Sequence, residues 1–438
     1  MKSQTVRPGS VLRSCLGAAL LLATLSGAPA ADDRVIRFPD IPGYRTLKGD
    51  FHQHTVFSDG KVWPNIRVEE GTRDGLDAMS VTEHLEWQPH QADLPNPDRN
   101  RSYEIAHQAA SLPAGLSEGD YWLIEQRAKG REQVIKDQKV LVALPPEAQS
   151  RPVAQDILVF NGVELTRNHP QGHASPLGHV NAIFIQDANR LVIEEPVALL
   201  REARAQGAFN IWNHPWSRGS YNVDGVVELT DLHKKLLQEG LIQGVEVVNT
   251  DTYSEGALQL ALDHDLTIMS GSDIHGLVEW VYPAASGKHR PVTLIFAKEK
   301  GEEAIKEALR QRRTVVWYKN TLIGREAWLK PLIAASLVVR AKGYQPDRRK
   351  FTIQDRPDSA LLDIELKNTS DAEFLLRNTG SLRLYNEAEV LSIPPHTTIT
   401  VTVMPLSRIR EVELNFEVLN AVVAPGKHPS VTYRLTVD

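Results

Sequence analysis

The chain reads as an α/β barrel on parallel strands, followed by an all-β sandwich. Three observations predict this. Between residues 49 and 318, short apolar runs alternate with helical patterns, as strand–helix units around a parallel sheet do. Polar residues able to do chemistry sit at the C-terminal ends of many of those runs, where a barrel of this kind places its site. From Ser336 onward helical periodicity disappears and short strand-like runs separated by turn residues take over, which suits a sandwich of about a hundred residues.

Residues 1–30 read as a secretory signal peptide: basic Lys2, Arg7 and Arg13, an apolar run from Cys15 to Leu25, then Ala28-Pro29-Ala30 as a cleavage site. The run is too short for a membrane span. The barrel is expected over 44–320, with strands at 49–54, 78–82, 157–165, 179–185, 208–213, 244–249, 266–270, 292–297 and 314–318. Helices are expected at 66–73, 121–139, 195–206, 229–239, 255–264 and 302–311. An insertion at about 86–155 begins rich in Pro, Asn and Asp and then turns helical. It suits a lid or pocket wall, with Trp87, Tyr103 and Trp122 as aromatics that could face a substrate. The sandwich is expected over 330–438, with strands at 337–341, 361–368, 381–385, 397–404, 412–418 and 431–437.

Charge and cysteine usage narrow the function. The formal charge of −6 becomes −9 once the three basic residues of 1–30 are removed, because that segment has no acid. Such a chain does not seek nucleic acid by broad electrostatics. Its one cysteine, Cys15, leaves with the signal, so any metal ligands are nitrogen and oxygen, and an oxidising compartment such as the periplasm suits it. No later stretch reads as a bilayer span, and no P-loop or GxGxxG precedes a helix.

The chemistry centres on Asp50-Phe51-His52-Gln53-His54, followed by Ser58-Asp59-Gly60. Residues two apart on a strand share a face, which would aim His52 and His54 at one spot, about 6–7 Å apart at the backbone. Further candidates close later runs: His84 in Thr82-Glu83-His84, Glu164 in Val163-Glu164, and His214 before Pro215. His179 opens a run, and Asp273 and His275 follow Ser272. Six imidazoles and three carboxylates in this order suit divalent transition metals.

These motifs resemble the PHP (polymerase and histidinol phosphatase) metal-dependent phosphoesterases, from about Tyr44 to Lys319. The resemblance implies a distorted (β/α)7 TIM-like barrel and three divalent ions, manganese, iron or zinc. One ion would be held by His52, His54, Glu164 and Asp273, a second by Glu164, His179 and His214, and a third by Asp59, His84 and His275. Some relatives carry Asp where this chain has Glu83, which touches the surroundings of His84. Three dications, three carboxylates and a bridging hydroxide would leave two positive charges for a phosphoryl group. That hydroxide would be the nucleophile, and Asp273 could also shuttle protons.

The implied activity is hydrolysis of small phosphate esters, diesters favoured and monoesters on sugar or nucleoside phosphates the alternative. An inactive metal-loaded envelope binding protein and a metal-dependent amidase are the readings from other classes. Arg167 and Arg218 are candidate phosphate binders. His169 and His173 could touch substrate, and Tyr253 and Trp280 could stack on an ester group.

Overall fold

The computed structural model describes residues 35–86, 98–111, 156–166, 176–217, 226–345 and 360–437. The expected signal peptide, Trp87, Trp122, Arg167, His169, His173, Arg218 and most of the 86–155 insertion lie outside them. No helix among the described residues is long and apolar enough to cross a membrane.

The main sheet contains β1 (Arg45–Asp50), β2 (Ala78–Val81), β3 (Leu158–Leu165), β4 (His179–Ile183), β5 (Phe209–Asn213), β6 (Gly244–Asn249), β7 (Thr252–Tyr253), β8 (Thr267–Gly271), β9 (Val292–Ala297), β10 (Thr314–Tyr318) and β11 (Thr321–Gly324). Its order is β11-β10-β9-β1-β2-β3-β4-β5-β6-β7, with β8 also paired to β6. β1, β2, β3, β5, β6 and β8 all point the same way. β4 runs against both its neighbours and β9 runs against β1. These two strands depart from the parallel expectation, because a buried strand reads as an apolar run whichever way it points. The sheet curls until β8 lies beside β9 and β10. There Ser270 N donates to Thr293 Oγ1 (3.0 Å) and Thr314 Oγ1 donates to the Ile268 carbonyl (2.8 Å). Among the described residues no backbone ladder joins β8 to either strand.

β5, β6, β8, β9 and β10 are buried along their whole lengths, which matches a sheet covered on both faces. Three of the helices outside them start at side-chain caps. The Glu195 carboxylate accepts from Val197 N and Ala198 N, with Pro196 opening the helix Pro196–Ala205. Ser254 caps Glu255–Asp263 through Ala257 N. Two helices matter for the site: α1 (Pro64–Arg73) and α2 (Arg101–Ser111), the latter from the insertion. Tyr103 on α2 is buried and points its hydroxyl at the Gln186 carbonyl, so it is core rather than substrate-facing.

An unexpected helix, Glu326–Ser336, hands the chain to the C-terminal part. That part is two four-stranded sheets. One is formed by β12 (Leu337–Tyr344), β13 (Leu362–Asn368), β15 (Arg383–Leu384) and β17 (Thr398–Met404). The other is formed by β14 (Phe374–Asn378), β16 (Val390–Ile393), β18 (Glu411–Val418) and β20 (Ser430–Thr436). Leu362, Ile364 and Leu366 are buried at alternate positions of β13, the period-2 pattern of a sandwich. β19 (Ala421–Val422) pairs with β11, so the C-terminal part adds an edge strand to the main sheet.

Candidate metal centre

β1, β2, β3, β5, β6 and β8 bring their C-terminal ends to one side of the molecule, and the nine sequence candidates gather there. His52 and His54 follow β1 rather than lie on it as expected. Past Asp50 the backbone leaves the ladder, with His54 N donating to the Ile274 carbonyl (3.0 Å) and Thr82 N to the Gln53 carbonyl (2.8 Å). The chain stays extended, and the two rings lie 5.3 Å apart. Asp59 sits in the turn closed by Gly60, where a Cβ would lie 2.6 Å from the His54 carbonyl group, so no other residue fits without moving backbone. His84 follows β2, Glu164 is near the end of β3, and His214 follows β5. His179 opens its strand because β4 is antiparallel, so its N-terminal end is the one at the site. Asp273 and His275 follow β8.

The ligand atoms form four overlapping groups, each within 4.8 Å: His54, Asp59, His84 and His275; His52, His54 and Glu164; His52, His214 and Asp273; Glu164, His179 and His214. His52 Nε2 lies 3.4 Å from Glu164 Oε1 and 3.3 Å from Asp273 Oδ1. His54 Nε2 lies 3.4 Å from Glu164 Oε2 and 3.1 Å from Asp273 Oδ1. Asp59 Oδ1 lies 3.0 Å from His275 Nε2 and 3.4 Å from His84 Nε2. Two ligands each about 2.1 Å from one ion, at octahedral or tetrahedral angles, stand about 3.0–3.4 Å apart. Buried His52 Nε2 and His54 Nε2 find no hydrogen bond among the described residues, an arrangement that costs free energy unless another group completes it. The donor set therefore fits divalent ions.

The charges respond to one another. Burial would depress His52, but Asp273, Glu246 and Glu164 hold its imidazole well above the usual range. Burial, reinforced by His84, drives His54 down to about 4. Burial opposes protonation of His84 too, yet Glu164 and Asp59 push it up to about 10. Burial would raise Glu164 and Asp273, but the surrounding imidazoles hold both well below the ordinary carboxylate range. Side-chain exposure is 0–1% at His52, His54 and Glu164, and rises to 17% at Asp273, 22% at Asp59 and 35% at His275. The site therefore opens over those last three.

Two charged residues that the sequence reading passed over hold the frame. Fully buried Arg67 on α1 donates to the carbonyls of His54 and Ile274 (both 3.0 Å). Arg290, also fully buried, bonds Asp74, Asp50 and Gln53. Asp50 in turn accepts from Ser272 Oγ (2.6 Å) and Ser272 N (3.2 Å). This steadies a turn in which Asp273 adopts a left-handed φ of 50°, an uncommon conformation for a non-glycine residue. Glu246, mid-strand in β6, is a third such residue, and its lone acid within Gly-Val-Glu-Val-Val was the available signal. Trp280 is 67% exposed, just past His275. Tyr253 pairs with Val248 beside the end of β6.

A family profile described as an Ig-like domain matches residues 350–434. No curated protein matches the chain. Among solved structures, PsfC from Pseudomonas syringae is 16% identical with a TM-score of 0.36, covering 66% of this chain and 96% of that one. A two-domain protein from Bacteroides vulgatus, described as containing a predicted PHP-like metal-dependent phosphoesterase, is 35% identical with a TM-score of 0.71. That match covers 92% of this chain and 98% of the other. On that identity, sustained through both the curled sheet and the Ig-like part, the chain belongs to the family of two-domain proteins with a PHP-like metal-dependent phosphoesterase.

Proposed function

We propose that this protein hydrolyses small phosphate esters, with diesters favoured over monoesters, using three divalent ions held by the nine residues above. The observation that carries the reading is the spacing of imidazole and carboxylate atoms at about the separation that ligands of a shared cation require. His52, His54, Glu164 and Asp273 would hold one ion, Glu164, His179 and His214 a second, and Asp59, His84 and His275 the third. Bound there, divalent ions acidify water toward neutral pH and polarise phosphoryl oxygens.

The chain's own groups do the rest. Three carboxylates against three dications leave a net positive mouth that attracts an anionic ester. Asp273 is partly exposed and 3.1 Å from His54 Nε2, which supports a second part for it, carrying a proton between solvent and the reacting groups. Exposed Trp280 offers a flat apolar face beside His275 for the ester group. The (β/α)7 description of the barrel belongs to the same proposal, as does export to the periplasm, which rests on residues 1–30.

The test compares an aryl phosphate diester with the matching monoester, using protein reconstituted with manganese, iron or zinc. Turnover of the diester above the monoester is the expected result. Metal-loaded protein that turns over neither ester would sink the proposal, and turnover of amides or lactones alone would reassign it.

A further inference from the structure

Two buried carboxylates outside the nine candidates face the two histidines that follow β1. Glu246 Oε1 lies 2.7 Å from His52 Nδ1. Its other oxygen accepts from His214 N and from Asn249 Nδ2, both at 2.9 Å. Glu83 collects four donors: Thr55 N (3.0 Å), Thr55 Oγ1 (2.5 Å), Ser58 Oγ (2.5 Å) and Ser102 Oγ (2.6 Å). Ser58 Oγ also lies 3.2 Å from His54 Nδ1.

A carboxylate can only accept. His52 must therefore carry its proton on Nδ1, toward Glu246. Ser58 spends its proton on Glu83, so its oxygen can only accept from His54 Nδ1–H. Nε2 of each ring, which faces Glu164 and Asp273, is then the nitrogen that would give its lone pair to an ion held there. We infer that Glu246 directly, and Glu83 through Ser58, are positioning residues that lock His52 and His54 in the tautomer able to bind metal. This rests on the metal reading above.

The surroundings support the assignment. A Cβ on Gly271 would lie 2.0 Å from Glu246 Oε1 and 2.7 Å from His52 Cβ, so the missing side chain leaves room for the contact. Glu246 also binds the amide of His214, whose φ of 26° is left-handed, so one side chain steadies two candidate ligands from different strands. On the other side, Ser102 on α2 ties the insertion to the same relay. Glutamine cannot replace Glu246, because its amide would turn a donor toward either His52 or the His214–Asn249 pair.

Zinc titration of metal-stripped protein tests this, with E246Q, S58A and G271A beside the wild type. Loss of an orienting partner weakens metal binding about 10–100-fold, and E246Q and G271A are expected in that range. S58A, which leaves Glu83 its other three donors, is expected to weaken binding about 10-fold with the metal-stripped melting temperature unchanged. In zinc-loaded wild type, side-chain nitrogen NMR should show His52 and His54 protonated at Nδ1. If E246Q fails to fold, S58A and the NMR spectrum still decide. Wild-type zinc affinity in the variants, or protonation at Nε2, overturns the positioning role while leaving the metal reading standing. A wild type that takes up no zinc overturns both.

Discussion

Glu164→Gln is the most telling single change at this site. The side chain is fully buried, and its two oxygens reach five imidazoles. Oε1 lies 3.4 Å from His52 Nε2, 3.1 Å from His179 Nδ1 and 3.6 Å from His214 Nε2. Oε2 lies 3.4 Å from His54 Nε2 and 2.7 Å from His84 Nδ1. Glutamine keeps the volume and the backbone pairing of Glu164 with Asn181, so the β3–β4 ladder should survive. What disappears is the negative charge common to two of the four donor groups, while the group built on Asp59 is spared. The expected result is a fall in bound metal from the proposed three ions to about one, measured by elemental analysis after reconstitution. Turnover of an aryl phosphate ester should fall about 10³-fold or more, about 4 kcal/mol of barrier. A variant that keeps the wild-type metal content and turnover would refute the shared-ligand argument. A variant that loses its circular dichroism signal with metal withheld would show that the residue's part is structural.

Asp59→Asn should behave differently, because Asp59 belongs to one donor group only: one ion should be lost, and loss of every ion would contradict the grouping. Stripping the metal should lower thermal stability, and adding zinc or manganese back at 1,000 times its dissociation constant should restore about 4 kcal/mol; a melting temperature indifferent to metal would argue against a built site. A pH dependence should arise away from the centre, at His233. Burial lowers this imidazole to about 4 from 6.5, despite the Leu177 carbonyl 3.0 Å from Nε2. Its folded pKa lies below its unfolded one, so the stability is fully present above pH 6.5 and is lost as pH falls toward 4. The contribution is about 3 kcal/mol. Urea unfolding with chelator present, at pH 7 and 4.5, should show a smaller pH difference in His233→Gln than in the wild type; equal differences would refute this.

The local sequence was enough to find most strands of the main sheet, the change to an all-β pattern near Ser336, and the nine candidates. Buried runs such as 244–249 and 292–297 are apolar along their whole length, and the candidate histidines and acids stand out where such runs end. Short strands such as Phe374–Asn378 and Val390–Ile393 were missed because polar residues break their pattern within a few positions.

Direction, pairing and distance were decided by the tertiary structure alone. The reversal of β4 puts His179 at the site from the start of its strand, and nothing in a buried apolar run encodes that. Glu246 becomes a partner of His52 only because β6 and β8 lie side by side and Gly271 leaves a gap between them. Hydrogen bonds and ion sharing depend on ångströms between residues as far apart in sequence as His52 and Glu246. Local periodicity reports which face a side chain takes, while the packing of the whole sheet decides what it meets there.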